Sequence, residues 1–572
     1  MKTKGIGASE GIYIAKAFVM NEEKVNISDA KVKDTNKEII RFSEAKKTAE
    51  VQISELMKVA KAKLGEEKAA VFGAHLQIVN DPSIAKEVET LIKNSAVTAV
   101  YALDKIANNY ISMFEQMDDP YMKERAADIK DVTTRIIKIM AGIEIMDLST
   151  ISEEVIIIAD DLSPSQTAQM NVDFVKGFAT NIGGKTSHSA IMARTLEVPA
   201  VVGLRDITSK VKNGEIVIID GQDGIVINSP SSLEVKRYRN KISIENEMKH
   251  KLKEFSNKTS QTKDGHKFEI AGNIGNPHDV DQVLVNGGEA IGLFRSEFLY
   301  MDASSWPNEN DQYEAYKSVV QKMGNKKVII RTLDIGGDKK LDYFTFPHED
   351  NPFLGYRATR FTMDRKEVFS TQIRALLRAA VHGNLYVNLP MIATVQEFLN
   401  IKEFVELKKK ELKKEKIPFG DIKLGIMVEI PSVAMLADKF AKHADFFSVG
   451  TNDLIQYTFA ADRLSEKVSY LYQPYNPSIL RMLKNVIDAS HKEGKFTAMC
   501  GEMAGSIDAL PLLLGLGLDE FSMSSSSILK IRYYASKMNH KDTIALANKA
   551  LDSSSNEEVV KLVSDFYSKI NL

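Results

Sequence analysis

Residues 422–453 read IKLGIMVEIPSVAMLADKFAKHADFFSVGTND. Two short apolar runs, Ile422–Glu429 and Phe446–Val449, suit buried strands, and a stretch of helical composition separates them. Strand, helix, strand at this spacing is the pattern of a parallel crossover unit. The same alternation continues on both sides, with strand-like runs at Phe268–Asn273, Ala290–Phe294, Lys327–Leu333, Leu385–Met391, Phe496–Met499 and Glu520–Met523. Eight such units within residues 263–572 predict a (β/α)8 barrel.

Barrel chemistry sits at the C-terminal ends of the strands. Those ends carry Arg295, Arg331, Asp334, Glu429, Asn452, Asp453 and Cys500, more charge than a structural barrel needs. Arginine grips carboxylate or phosphate with a planar, permanently charged fork. Arg463 follows the Asn-Asp turn, and Arg357 lies in NPFLGYR, in the long connection after the third strand. Arginines converging on a barrel mouth point to a substrate with more than one negative group, although any one of them could instead form a structural salt bridge. Glu429 and Asp453 end adjacent strands, and such a pair beside a phosphate-bearing substrate suits Mg²⁺. Cys500, in MCGEM, is open to two readings, packing or proton donation.

Upstream the texture changes. Gly11–Met20, Val155–Ala159, Lys176–Thr180, Pro199–Gly203, Ile216–Asp220 and Gly224–Asn228 are short and β-compatible, and predict a compact α/β domain from residues 1–30 and 143–230. Between the first and second of these strands, residues 31–142 carry apolar positions at helical spacing, such as Ala49, Ile53, Leu56 and Ala60. Asn80-Asp81-Pro82 and Asp118-Asp119-Pro120 interrupt the pattern, so the insertion reads as a bundle of about four helices. Residues 231–262 are charged and loosely helical, as expected of a linker.

In the α/β domain, residues 183–194 read GGKTSHSAIMAR. A Gly-Gly turn leads into Thr186 and Ser187, which can cap a helix whose first turn holds His188. An imidazole there can attack phosphorus while free helix N–H groups hold phosphate oxygens; a purely structural histidine is the alternative. The segment is not a Walker A loop, because the first glycine of that spacing is missing.

The 572 residues are 44% hydrophobic with a net charge of −2, which suits a globular chain with a real core and gives no support to nucleic-acid binding. A single cysteine excludes an intrachain disulfide framework and fits a reducing cytoplasm. No signal-peptide-like run opens the chain, and no stretch of 18 apolar residues is long enough to span a membrane.

The motifs, taken together, carry a resemblance. GGKTSHSAIMAR resembles the phosphohistidine signature of phosphoenolpyruvate-utilising enzymes. LFRSEFLY, RTLDIGGDK, NPFLGYRATR, IMVEIPS, SVGTNDLIQYTFAADR and AMCGEMAG resemble the phosphoenolpyruvate-binding barrel of the same family, in the same order. The match to the enzyme I family of the bacterial phosphoenolpyruvate:sugar phosphotransferase system runs from Gly5 to the C-terminal region. The resemblance implies that His188 takes the phosphoryl group and hands it to the carrier HPr. It implies that Arg295, Arg331, Asn452 and Arg463 bind phosphoenolpyruvate, with Arg357 beside them and Asp453 contributing through its backbone. Glu429 and Asp453 would hold Mg²⁺, and Cys500 would protonate C3 of the enolate to give pyruvate. The helical insertion would dock HPr; LGEEKAAVFGAHL matches part of that surface, making Glu66, Glu67, Lys68 and His75 candidates. A cytoplasmic homodimer through the barrel is implied as well.

Departures from the family pattern are Lys185 for a common Arg, Ser296 for a common Thr, and Lys340 where an acidic residue is frequent. His188 and the metal carboxylates fall in different expected domains, so the linker is expected to act as a swivel. Three other readings compete with this one. A pyruvate phosphate dikinase or phosphoenolpyruvate synthase needs a nucleotide-binding domain that the motifs do not supply. A catalytically silent regulatory homologue would lack some of the arginines, carboxylates or the histidine. A bare sugar- or nucleotide-binding barrel leaves the histidine segment unexplained.

Overall fold

The computed structural model describes the chain apart from residues 21–24, 65, 117–119, 144, 146–147, 185–186, 197, 302, 338, 340, 342, 464 and 571–572; the side chains of 62–64, 66–70, 120–124, 168, 188, 195 and 466 are also outside the description. Two compact units divide it, Met1–Asn246 and Glu247–Leu572. Among the described residues no helix is long and apolar enough to cross a membrane.

In the first unit, Val155–Ala159 reads VIIIA and is buried at every position, as a strand covered on both faces must be. The sheet contains β1 (Lys2–Lys4), β2 (Ile6–Ser9), β3 (Ile12–Val19), β4 (Val155–Ala159), β5 (Val175–Thr180), β6 (Ala200–Val202), β7 (Ile216–Asp220) and β8 (Ile225–Asn228), in the order β1-β8-β7-β3-β4-β5-β6-β2. β3 to β6 run parallel, and the outer strands join antiparallel. The sequence pattern missed β1 and β2, so the helical insertion follows the third strand rather than the first. KTK and IGAS have no apolar run of their own; they are strands because β8 and β6 offer them a ladder.

Among the described residues the insertion is helical over α1 (Thr35–Leu64), α2 (Glu66–Val79), α3 (Pro82–Ser95), α4 (Ala99–Glu115) and α5 (Pro120–Ala141), and the residue between α1 and α2 lies outside the description. Asn80-Asp81-Pro82 marks the start of α3 in the sequence. At α3 that signal works as read: the Asp81 carboxylate accepts from the N–H of Ser83 at 2.7 Å and of Ile84 at 3.3 Å, with Pro82 in the first turn. After β4 come α6 (Pro164–Gln169), α7 (His188–Leu196), α8 (Ile207–Lys210) and α9 (Ser232–Lys253); the division between the two units falls inside α9.

The second unit is a closed barrel of β9 (Glu269–Ile274), β10 (Ala290–Arg295), β11 (Val328–Arg331), β12 (Leu385–Leu389), β13 (Lys423–Val428), β14 (Phe446–Val449), β15 (Thr497–Met499) and β16 (Glu520–Met523). Every neighbouring pair is parallel. All eight strands lie within the expected runs or overlap them, because strands buried on both faces are written as continuous apolar stretches. Ile330, Val387, Ile426, Val428 and Phe447 belong to one core cluster that joins the strands to the surrounding helices.

Candidate active site

Arg295 and Arg331 are the last residues of β10 and β11 and stand opposite each other in register. Glu429 follows β13, Asn452 and Asp453 occupy the first turn of helix Thr451–Phe459 after β14, and Cys500 follows β15. Arg357 precedes helix Ala358–Asp364, and Ala358 holds a left-handed φ of 51°, a strained conformation for a residue with a side chain. The nine barrel residues picked from the sequence all line one cavity of about 600 Å³ at the C-terminal mouth.

The cavity is held by a charge lattice. Arg331 is buried, donates to Glu297, and lies 3.1 Å from Asp334. Lys339 Nζ reaches Glu297 Oε1 at 3.0 Å and Asp334 Oδ2 at 2.9 Å. Arg357 Nη2 is 3.0 Å from Asp334 Oδ1 and 3.8 Å from Asp453 Oδ2. Burial works against the charge on Arg331, but Glu297, Asp334 and Glu429 outweigh it and raise its pKa. Burial alone would raise Asp334, yet Lys339, Arg331 and Arg357 hold it well below the usual carboxylate range. Sequence reading singled out neither Glu297 nor Lys339 as a site residue. The available signal was position: Glu297 lies just past the Arg295 strand end, and Lys339 closes the GGDK turn. Ser296 donates to the Arg331 carbonyl at 2.6 Å and accepts from Gln372 at 3.0 Å, so the hydroxyl at this position fixes the Arg331 backbone.

Glu429 is buried, and its Oε1 accepts from the Met391 N–H at 2.6 Å. Burial first, then the nearby Asp453 and Asp334, push its carboxyl up to about 8. Asp453 Oδ1 is buried without a hydrogen-bond partner, with Arg463 Nη1 at 3.6 Å. A carboxyl that resists ionising and an unused carboxylate oxygen on adjacent strand ends fit a divalent cation, whose charge would favour ionisation of both. Among the described residues no group of three or more acidic, His or Cys side chains could hold a metal. Two protein carboxylates would leave the remaining positions around such a cation to substrate and water oxygens. Cys500 is buried, its Sγ 3.7 Å from the Val449 carbonyl, and burial raises its thiol to about 11. It is a protonated thiol facing a polar cavity.

In the other unit, α7 begins at His188, as the sequence predicts. Ser187 Oγ accepts from the Ala190 N–H at 3.3 Å and donates to the Gly184 carbonyl at 2.9 Å, so Ser187 caps the helix. Gly183 has φ 118°, and a Cβ there would meet Ser187 Oγ and Val202 Cβ at 3.2 Å; the turn requires glycine. Thr186 and Lys185 lie outside the described residues, as does Lys340 in the barrel, and so does the His188 side chain.

Three family profiles cover most of the chain: "PEP-utilising enzyme, N-terminal" over residues 4–125, "PEP-utilising enzyme, mobile domain" over 151–224 and "PEP-utilising enzyme, PEP-binding domain" over 249–540. A phosphoenolpyruvate-protein phosphotransferase of Mycoplasma capricolum is 54% identical over 569 residues, covering 99% of each chain. The chain belongs to the phosphoenolpyruvate-protein phosphotransferase family. Other members that it resembles come from Bacillus subtilis, at 52% identity over 565 residues and 99% of each chain, and Staphylococcus carnosus, at 51% over 564 residues and 98% of each. Phosphoenolpyruvate-utilising enzymes generally use a divalent metal, in keeping with the Glu429–Asp453 pair.

One phosphotransferase candidate changes its role. His75, suggested for carrier docking, is buried; its Nε2 lies 3.1 Å from Asp128 Oδ1 and its ring meets Phe72 edge-on at 5.7 Å. It belongs to the interior of the bundle and can act on a docking surface only by holding α2 in place. Glu66, Glu67 and Lys68 are on the same helix, with side chains outside the described residues.

Proposed function

We propose that this protein takes the phosphoryl group of phosphoenolpyruvate onto His188 and passes it to a histidine of the carrier HPr, releasing pyruvate. The observation that carries this reading is the barrel-mouth cavity, where Arg295, Arg331, Arg357 and Arg463 face Glu429, Asp453 and a protonated thiol. Phosphoenolpyruvate has a carboxylate, a phosphate and a C3 that must gain a proton, and the cavity supplies a group for each.

In this mechanism the arginines bind the two anionic groups and offset the charge on the transferring phosphoryl, where positioning and electrostatic stabilisation do most of the work. Asn452 adds an amide; Tyr472 donates to its Oδ1 at 3.0 Å and fixes its orientation. The neutral imidazole of His188 attacks phosphorus in line. The P–N bond forms as the P–O bond to the enolate breaks. Cys500 gives its proton to C3 of the enolate, and burial keeps that proton available across the neutral range. Mg²⁺, held by Glu429 and Asp453, would supply charge neutralisation at the phosphate oxygens.

The same reading assigns residues 1–30 and 143–230 to a phosphohistidine domain, 31–142 to HPr docking, 231–262 to a swivel linker, and 263–572 to phosphoenolpyruvate binding and homodimerisation, all in the cytoplasm. His188 and the cavity belong to different units, so phosphoryl transfer needs the two brought together.

The test is incubation with Mg²⁺ and ³²P-phosphoenolpyruvate beside a His188→Ala variant. Acid-labile, base-stable label on the wild type alone, removed by HPr, is the expected result. Label surviving in the variant, or none on the wild type, would overturn the proposal.

A further inference from the structure

The barrel unit holds a second hollow, of about 460 Å³, beside the segment that follows Cys500. Tyr475, Tyr534, Tyr567, Ile507, Val563 and Asp508 line it. The rings of Tyr534 and Tyr567 lie 6.3 Å apart with planes at 83°, two walls meeting at a corner. Tyr475 forms a further side, its hydroxyl 3.1 Å from Ser506 Oγ, while the Tyr567 hydroxyl donates to the Ile507 carbonyl. All three tyrosines are half-buried, and Asp508 is exposed at the rim. No lysine, arginine or histidine is among the lining residues.

The electrostatics point one way. Burial, with Asp508 adding to it, raises the Tyr475 phenol, and burial, Asp508, Tyr534 and Tyr475 together raise that of Tyr567. Among the lining residues Asp508 supplies a formal negative charge, and the phenols stay neutral. Aromatic faces attract cations, best where a ring corner is partly desolvated. An anion would meet Asp508, and one carboxylate among phenols is a poor set for a hard metal ion, which takes six or more oxygens. An organic cation can use the ring faces for its alkyl groups and the carboxylate for its charge.

We propose that this hollow binds a small organic ammonium ion, caged by Tyr475, Tyr534 and Tyr567 with Asp508 beside the charge. Ser506 also lines the barrel-mouth cavity, and the hydroxyls of Tyr475 and Tyr567 hold the Ser506–Ile507 segment. Occupancy of the cage therefore acts on the segment that begins at Cys500.

The experiment titrates the full chain calorimetrically with choline chloride and with its neutral isostere, 3,3-dimethylbutan-1-ol. Neither arm depends on the proposed reaction. Choline should bind with a Kd on the order of millimolar or tighter, and Asp508→Asn, an exposed substitution, should weaken it about fivefold. The isostere should not saturate. Isostere binding as tight as choline, no choline binding, or binding indifferent to Asp508 would overturn the site. Cys500 is the single cysteine in the chain, so its alkylation by iodoacetamide reads the coupling separately. Choline should change that rate at least about twofold in the wild type, with a half-effect concentration about fivefold higher in Asp508→Asn; an unchanged wild-type rate would overturn the link to the barrel mouth.

Discussion

Replacing Glu429 with glutamine should stabilise the metal-free protein while disabling it, and the gain should grow with pH. Burial, reinforced by Asp453 and Asp334, moves the Glu429 carboxyl from 4.5 to about 8. The folded pKa lies above the unfolded one, so the favourable contribution is complete below 4.5 and is lost as pH rises through about 8. One pH decade corresponds to about 1.4 kcal/mol. The lost contribution is then roughly 3 kcal/mol at pH 7 and roughly 5 kcal/mol well above pH 8. Glutamine keeps the acceptor for the Met391 N–H and never ionises. Its extra N–H, buried without a partner, offsets about 1–2 kcal/mol. The net gain is about 2 kcal/mol at neutral pH and 3–4 kcal/mol in mild alkali. At roughly 2 °C per kcal/mol for a unit of this size, the barrel transition should rise by about 4 °C and then 6–8 °C. Differential scanning calorimetry in EDTA, from pH 5.5 to 8.5, measures the difference. A gain that stays flat with pH, or a variant less stable than wild type at pH 8.5, would refute the assignment of Glu429 as a buried carboxyl awaiting a cation.

Two further substitutions probe the chemistry and the bundle. Cys500→Ala should lower pyruvate formation by about 10²–10⁴-fold, the usual range for loss of a general acid; a coupled lactate dehydrogenase assay measures it, and a rate equal to wild type removes Cys500 from the mechanism. His75→Ala should lower the stability of the helical insertion by about 2 kcal/mol, because Asp128 loses a buried partner. It should leave carrier affinity unchanged when measured well below the melting temperature. A loss of affinity in a fully folded variant would return His75 to the docking surface.

The barrel was legible in the sequence for a physical reason. Strands buried on both faces must be apolar throughout, and the chemistry of this fold collects at their ends, so Arg295, Arg331, Glu429, Asp453 and Cys500 could be picked by position alone. The cap at Ser187 and the Asp81-Pro82 start of α3 were legible because capping is satisfied within a few residues. His75 could have been read better: it lies on the same helical face as Phe72, three residues earlier, and that spacing marks an inward face.

Other features depend on partners far along the chain. β1 and β2 exist because β8 and β6, some two hundred residues away, leave an edge for them; local composition says nothing of it. Glu297 and Lys339 became parts of the site only when the barrel closed and placed them against Arg331 and Asp334. Burial set the proton affinities. The sequence by itself determined which groups stand at the barrel mouth, since strand periodicity and motif order are local. Tertiary structure alone decided that Glu429 resists ionisation and that the Cys500 thiol keeps its proton, because desolvation is a property of everything packed around a group.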